Sequence, residues 1–171
     1  IVDSEYEHGQ VCFPPRFSMK HFLLILMLVM GQSVLAADKK PLIADPYFEK
    51  VIRLHIKKPT GELTKADLEK VRELYLVDDQ LTDVKWLEKL TKLTALSLNH
   101  NQLTDVKGLE KLPQLKMLWL TANHLTDVKG LEKLTQLKSL RLDGNPALTK
   151  AQIDELKKAL PDCKIEHNAK K

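Results

Sequence analysis

From residue 79 the sequence makes the same statement three times at a spacing of 22: DQLTDVKWLEKL over 79–90, NQLTDVKGLEKL over 101–112 and NHLTDVKGLEKL over 123–134. Nine of the twelve letters agree in all three copies. A period of this length is the mark of stacked supersecondary units, each unable to bury its own apolar face and completed only by its neighbours. The chain is thereby restricted to a short array whose core runs along the stack.

The period divides the chain into units 71–92, 93–114 and 115–136, with a diverging fourth from 137. Each opens LxxLxLxxN. Apolar residues at unit positions 4 and 6 flank a variable one, the alternation of a half-buried strand. The second half spaces its apolar residues by three, as in Val106, Leu109 and Leu112, which suits a 3₁₀ turn. Position 9 is Asn101, Asn123 and Asn145, with Asp79 in the first copy, and an amide there can satisfy backbone groups at a tight turn.

Both ends of such a stack need covers. Ahead of the units, Asp45-Pro46 predicts an N-cap and first helical turn, followed by a stripe of Tyr47, Phe48, Val51, Ile52 and Ile56 that stops before Pro59. Thr64 to Asp67 reads as a second helix start. Behind the units, Thr149-x-x-Gln152 opens a helix with apolar residues Ile153, Leu156 and Leu160, closed by Pro161, and Cys163-Lys164-Ile165 is expected to add a last strand.

The unit LxxLxLxxNxLTDVxGLxxL behind a small helical cap resembles the internalin-type, phosphatase-regulator-like leucine-rich repeats of exported bacterial proteins, from about Asp45 to Ile165. The resemblance implies an α/β solenoid. Its form would be a short leucine-rich repeat horseshoe with a parallel concave sheet, a helical N-terminal cap and a C-terminal capping helix. It also implies protein–protein binding, without naming a partner.

The first Met is Met19. It opens MKHFLLILMLVMGQSVLA, with a basic start, an apolar run from Phe22 to Met30, a breaker at Gly31 and a small-residue site at Val34-Leu35-Ala36. The run is too short to cross a bilayer, which takes about 20 apolar residues, and it reads as a signal peptide over 19–36 cleaved near Ala36. The expected organisation is an upstream extension at 1–18 outside the mature protein, the signal peptide, a linker and helical cap at 37–70, four repeats at 71–148, and a capping helix, last strand and tail at 149–171. Cleavage would also remove Cys12, leaving Cys163 alone as a small buried apolar residue. The product would be secreted or periplasmic, a monomer with no membrane span.

In a solenoid of this kind unit positions 3, 5, 7 and 8 face outward on the strand side. These columns read Glu73, Ala95, Met117, Ser139; Tyr75, Ser97, Trp119, Arg141; Val77, Asn99, Thr121, Asp143; and Asp78, His100, Ala122, Gly144. None repeats. Tyr, Trp and Arg are the residue types that most often anchor protein interfaces, and Met adapts to varied surfaces. With the whole chain only 5% aromatic, Glu73, Tyr75, Asn99, His100, Met117, Trp119, Thr121, Arg141 and Asp143 form the candidate partner-binding face.

Trp86, where the next copies have Gly108 and Gly130, is expected to cover the junction of the N-terminal cap. Asp83, Asp105 and Asp127 are expected to cap the returning turns, and the repeated Lys and Glu to form solvated ladders. The net charge of +4 is spread along the chain, which speaks against a nucleic-acid partner. His100 and His124 do not share a column, and no nucleophile elbow, phosphate loop or metal-ligand spacing occurs, so neither catalysis nor a cofactor or metal is expected. The expected function is an exported, non-catalytic protein-binding module. The alternatives are a structural or assembly protein, or a carbohydrate binder, of the cell envelope.

Overall fold

A computed structural model describes residues 42–169. The expected extension at 1–18 and signal peptide at 19–36 lie outside the described residues, as do the first residues of the expected linker and the last two of the tail.

Helix α1, Pro46–His55, starts where Asp45 accepts hydrogen bonds from the Tyr47 and Phe48 N–H groups at 2.8 and 3.4 Å. A cap of this kind satisfies donors that the first turn leaves open. The helix buries Phe48 and Ile52, whereas Tyr47, expected on the same stripe, stays exposed and donates its hydroxyl to Asp79 at 2.7 Å. The helix ends short of Pro59, and Lys57 turns left-handed at φ 56°. A second short helix, α2 (Lys65–Leu68), is opened by a capping box between Thr64 and Asp67. The Asp67 carboxylate is buried and held at 2.6 Å by Lys58 and 2.8 Å by Lys70, contacts that with the Thr64 bonds push its pKa far below the usual carboxylate range.

Four three-residue strands then follow at the repeat spacing: β1 Glu73–Tyr75, β2 Ala95–Ser97, β3 Met117–Trp119 and β4 Ser139–Arg141. They form a parallel sheet in sequence order with no slip, so Leu74, Leu96, Leu118 and Leu140 stand in one buried row. The returns contain 3₁₀ turns at Lys85–Lys89, Leu109–Lys111 and Leu131–Lys133, which bury Leu87, Leu109 and Leu131. One aliphatic cluster therefore runs the length of the stack. Each fully buried leucine contributes on the order of 2 kcal/mol to holding the coils together.

The buried Asn column locks coil to coil. Asn123 donates through Nδ2 to the carbonyls of Leu98, Leu120 and Thr121 at 2.9, 3.1 and 3.4 Å, and its Oδ1 accepts the Leu103 N–H at 3.1 Å. Asn101 and Asn145 repeat the pattern on their own preceding coils. The first coil has no preceding coil to supply such a carbonyl. A carboxylate, which cannot donate, takes the position there, and Asp79 accepts from Tyr47 instead.

Helix α3, Lys150–Ala159, begins at a capping box of Thr149 and Gln152 and buries Ile153 and Leu156. The last strand, β5, is Lys164–Glu166 and pairs with β4, one residue later than the sequence suggested. Cys163 precedes it, half-buried and packed on the core, where burial raises its thiol pKa. Ile165 continues the row of Leu140, and His167 continues the row of Leu142 by sequence offset. Its Nδ1 is buried with no hydrogen-bond partner among the described residues, while its Nε2 lies 3.2 Å from the Lys157 Nζ.

Candidate functional site

The strand side carries the residues that differ from coil to coil, and the parallel register places them in rows. Glu73, Ala95, Met117, Ser139 and Lys164 form one row, and Tyr75, Ser97, Trp119, Arg141 and Glu166 the next. Small residues on β2 separate large ones on β1 and β3. Rings extending from Tyr75 and Trp119 meet across that gap with centroids 6.4 Å apart and planes inclined by 24°. Beneath them Ser97 is only 4% exposed and Ala95 not at all, although the sequence pattern set both on the open face. Tyr75 keeps 57% of its surface open and Met117 38%.

The Tyr75 hydroxyl donates to Glu73 Oε2 at 2.9 Å, and the carboxylate beside it raises the phenol pKa. At the other end of the row Arg141 pairs with Glu166 at 2.8 Å, and Lys164 reaches the same carboxylate at 2.6 Å. These bonds, the Lys164 contact first, hold the Glu166 pKa below its ordinary value. Glu166 was not among the sequence candidates because its strand lies beyond the repeat.

The third row is more committed to the fold than the sequence indicated. Asn99 is half-buried, and its side-chain oxygen accepts the Thr121 N–H at 2.9 Å, so it bridges coils as well as lining the face. Thr121 and Asp143 are half-buried beside it. Position 8, represented among the candidates by His100, is a left-handed turn in every coil: Asp78, His100, Ala122 and Gly144 have φ of 61°, 56°, 54° and 73°. The signal was present in Asp78 and Gly144, which favour such turns, and was masked by His100 and Ala122.

On the return side, Asp83, Asp105 and Asp127 accept the N–H two residues on, at 2.5, 3.0 and 3.0 Å. They make Asx turns ahead of the 3₁₀ segments and do not cap those segments directly. Glu110 and Glu132 fold back on the N–H groups of Gly108 and Gly130 at 2.6 Å, and Glu88 pairs with Lys111 of the next coil at 2.5 Å. Trp86 stacks on Phe48 with centroids 4.0 Å apart, joining α1 to the first return. Among the described residues no group of three or more His, Cys, Asp or Glu is placed to hold a metal ion, and no helix is long and apolar enough to cross a membrane.

Strand, Asn-locked turn and 3₁₀ return, stacked in register, define a leucine-rich repeat solenoid. The family model for leucine-rich repeats, two copies to a match, fits residues 69–111, 91–132 and 113–158, together more than half of the chain, and the chain belongs to that family. Its solenoid is of the internalin type. It is similar to an internalin C2 from Listeria monocytogenes, with a TM-score of 0.65 and 22% identity over 79% of this chain and 62% of that one. The internalin InlF from the same species matches with a TM-score of 0.55 and 22% identity, over 81% of this chain and 49% of the other. A leucine-rich repeat protein from Leptospira interrogans is 31% identical over 62% of this chain and 28% of its own, with a TM-score of 0.55. The chain thus spans less than two thirds of the length of each of these structures. No curated protein matches its sequence. Family and fold together indicate a protein-interaction module.

Proposed function

We propose that the chain is an exported, non-catalytic binding module that grips a protein partner on the concave strand face, acting as a monomer. The observation that carries this reading is the aromatic pair of exposed Tyr75 and half-buried Trp119, beside Glu73 and Met117 of the neighbouring row and Arg141 of their own. Those types supply most of the binding energy in measured interfaces, and they stand here on short strands fixed by the leucine rows behind them. Thr121 and Asp143 supply a polar rim, with Asn99 and His100 at its edge.

Affinity capture from the native surroundings tests the face. Wild-type protein should retain a partner that the Trp119→Ala, Arg141→Ala double variant loses by at least about 30-fold, since two anchors cost about 1–2 kcal/mol each or more. The variant should keep its circular dichroism spectrum. Equal capture by both proteins would remove the face from the reading, and a full-length product retained in the cytoplasm would remove export. Paired rings also suit a sugar, the carbohydrate alternative, for which a glycan-array signal abolished by Trp119→Ala would be required.

A further inference from the structure

Three features of the concave face point to the chemistry of the group that enters it. The first is the aromatic pair, Tyr75 and Trp119, whose rings, negative at the centres of their faces, stack across β2 with centroids 6.4 Å apart. The second is the Glu73 carboxylate, fixed beside Tyr75 by the hydroxyl bond at 2.9 Å to one oxygen and with its other oxygen unengaged among the described residues. The third is the distribution of charge. Across β1, β2 and β3 and the turns that follow them, the outward positions carry Glu73 and Asp78 but no Lys or Arg. The cations of the same face, Arg141 and Lys164, lie at the far end and are both engaged by Glu166. Arg72, next to Glu73 in sequence, is turned to the Lys92 carbonyl and Gln114.

Resting on the proposed concave face, we infer that Tyr75, Trp119 and Glu73 form the seat for a cationic side chain, arginine or lysine, of the protein partner. A cation at the open edge of the pair can lie within about 6 Å of both centroids, the range in which ring and charge attract. Its hydrogens meet the free Glu73 oxygen, giving a charge-assisted bond. A sugar is less well served, because Ser97 beneath the rings is buried and the Asn99 side-chain oxygen is already occupied by the Thr121 N–H.

The test titrates the full chain with acetyl-Gly-Ser-Arg-Ser-Gly-amide and with the same peptide carrying citrulline, which keeps the shape and loses the charge. The readout is the Trp119 indole N–H resonance, assigned with Trp119→Phe. The arginine peptide should shift that resonance with a millimolar Kd, the citrulline peptide should not, and Glu73→Gln should weaken the arginine peptide about fivefold to tenfold while the amide spectrum stays folded. Equal shifts from both peptides, no shift from either, or a Kd unchanged by Glu73→Gln would overturn the cationic seat. Failure of the face itself shows separately, as capture unaffected by the Trp119 and Arg141 substitutions. A partner lost with those substitutions but indifferent to Glu73→Gln would leave the face standing without the seat.

Discussion

Trp119 and Asn123 stand four positions apart in the third coil. Asn123 is buried, and its amide closes four hydrogen bonds, two of them to the preceding coil. Trp119 is half-buried and meets Tyr75 across the face of the sheet. The same difference runs through the whole coil. Return-side letters repeat where they serve the shared frame, the Asn and leucines by joining neighbouring copies and the Asp and Glu by closing the turns of their own coil. Strand-side letters such as Tyr75 and Trp119 make their contacts with other side chains or with solvent.

The largest expected effect tests the return side. Asn123→Ala leaves the Leu103 N–H unpaired inside the stack and takes one of two amide donors from each of the Leu98 and Leu120 carbonyls, which keep those of Asn101 and Asn145, and should cost about 3 to 5 kcal/mol in urea unfolding. Trp119→Ala, with far more surface removed, should cost less than half of that. A smaller loss for Asn123 than for Trp119 would mean that the face, and not the lock, holds the coils together.

Next in size is a contrast within the repeated letters. Gly108 and Gly130 have φ of 97° and 101°, conformations strained for any side chain. A Cβ on Gly108 would also stand 2.9 Å from the Lys85 Cα, a backbone atom of the preceding coil, whereas on Gly130 its nearest neighbour is the Glu110 side chain at 3.4 Å. Gly108→Ala should therefore cost about 3 kcal/mol and Gly130→Ala about 1 to 2, both read by urea unfolding. Trp86 escapes the restriction because its coil is the first: it lies in a longer 3₁₀ segment at an ordinary φ and uses its ring to cover α1.

The rows of the sheet were legible in the sequence because the leucines repeat at 22, and the register follows from that period with no slip. The capping boxes at Thr64 and Thr149 were legible for the same kind of reason, since each is a local chemical pair. Legibility failed where a contact depends on distance across the stack. Tyr47 looked like a core residue of α1 until Asp79, 32 residues away, supplied an acceptor for its hydroxyl. Ser97 looked open until residues one coil to either side closed over it. The last strand moved by one residue because β5 follows a helix instead of a 3₁₀ return, so the period no longer fixes its register.

The smallest effect bears on where the line between the two sides falls. His100 occupies position 8, outward in the sequence pattern but set by a left-handed turn at φ 56° in the structure. Its backbone N–H donates to the Thr121 carbonyl at 2.9 Å, so the turn also joins two coils. A side chain in that conformation costs about 1 kcal/mol, which glycine recovers, less what its freer unfolded chain loses. His100→Gly should then raise stability by about 0.5 kcal/mol in urea unfolding, and Ala122→Gly should do the same one coil on. If position 8 serves the turn, His100→Gly keeps the captured partner while Trp119→Ala loses it. Loss of the partner with His100→Gly, in a protein made no less stable, would move position 8 back onto the binding face and widen that face to the loop edge of the sheet.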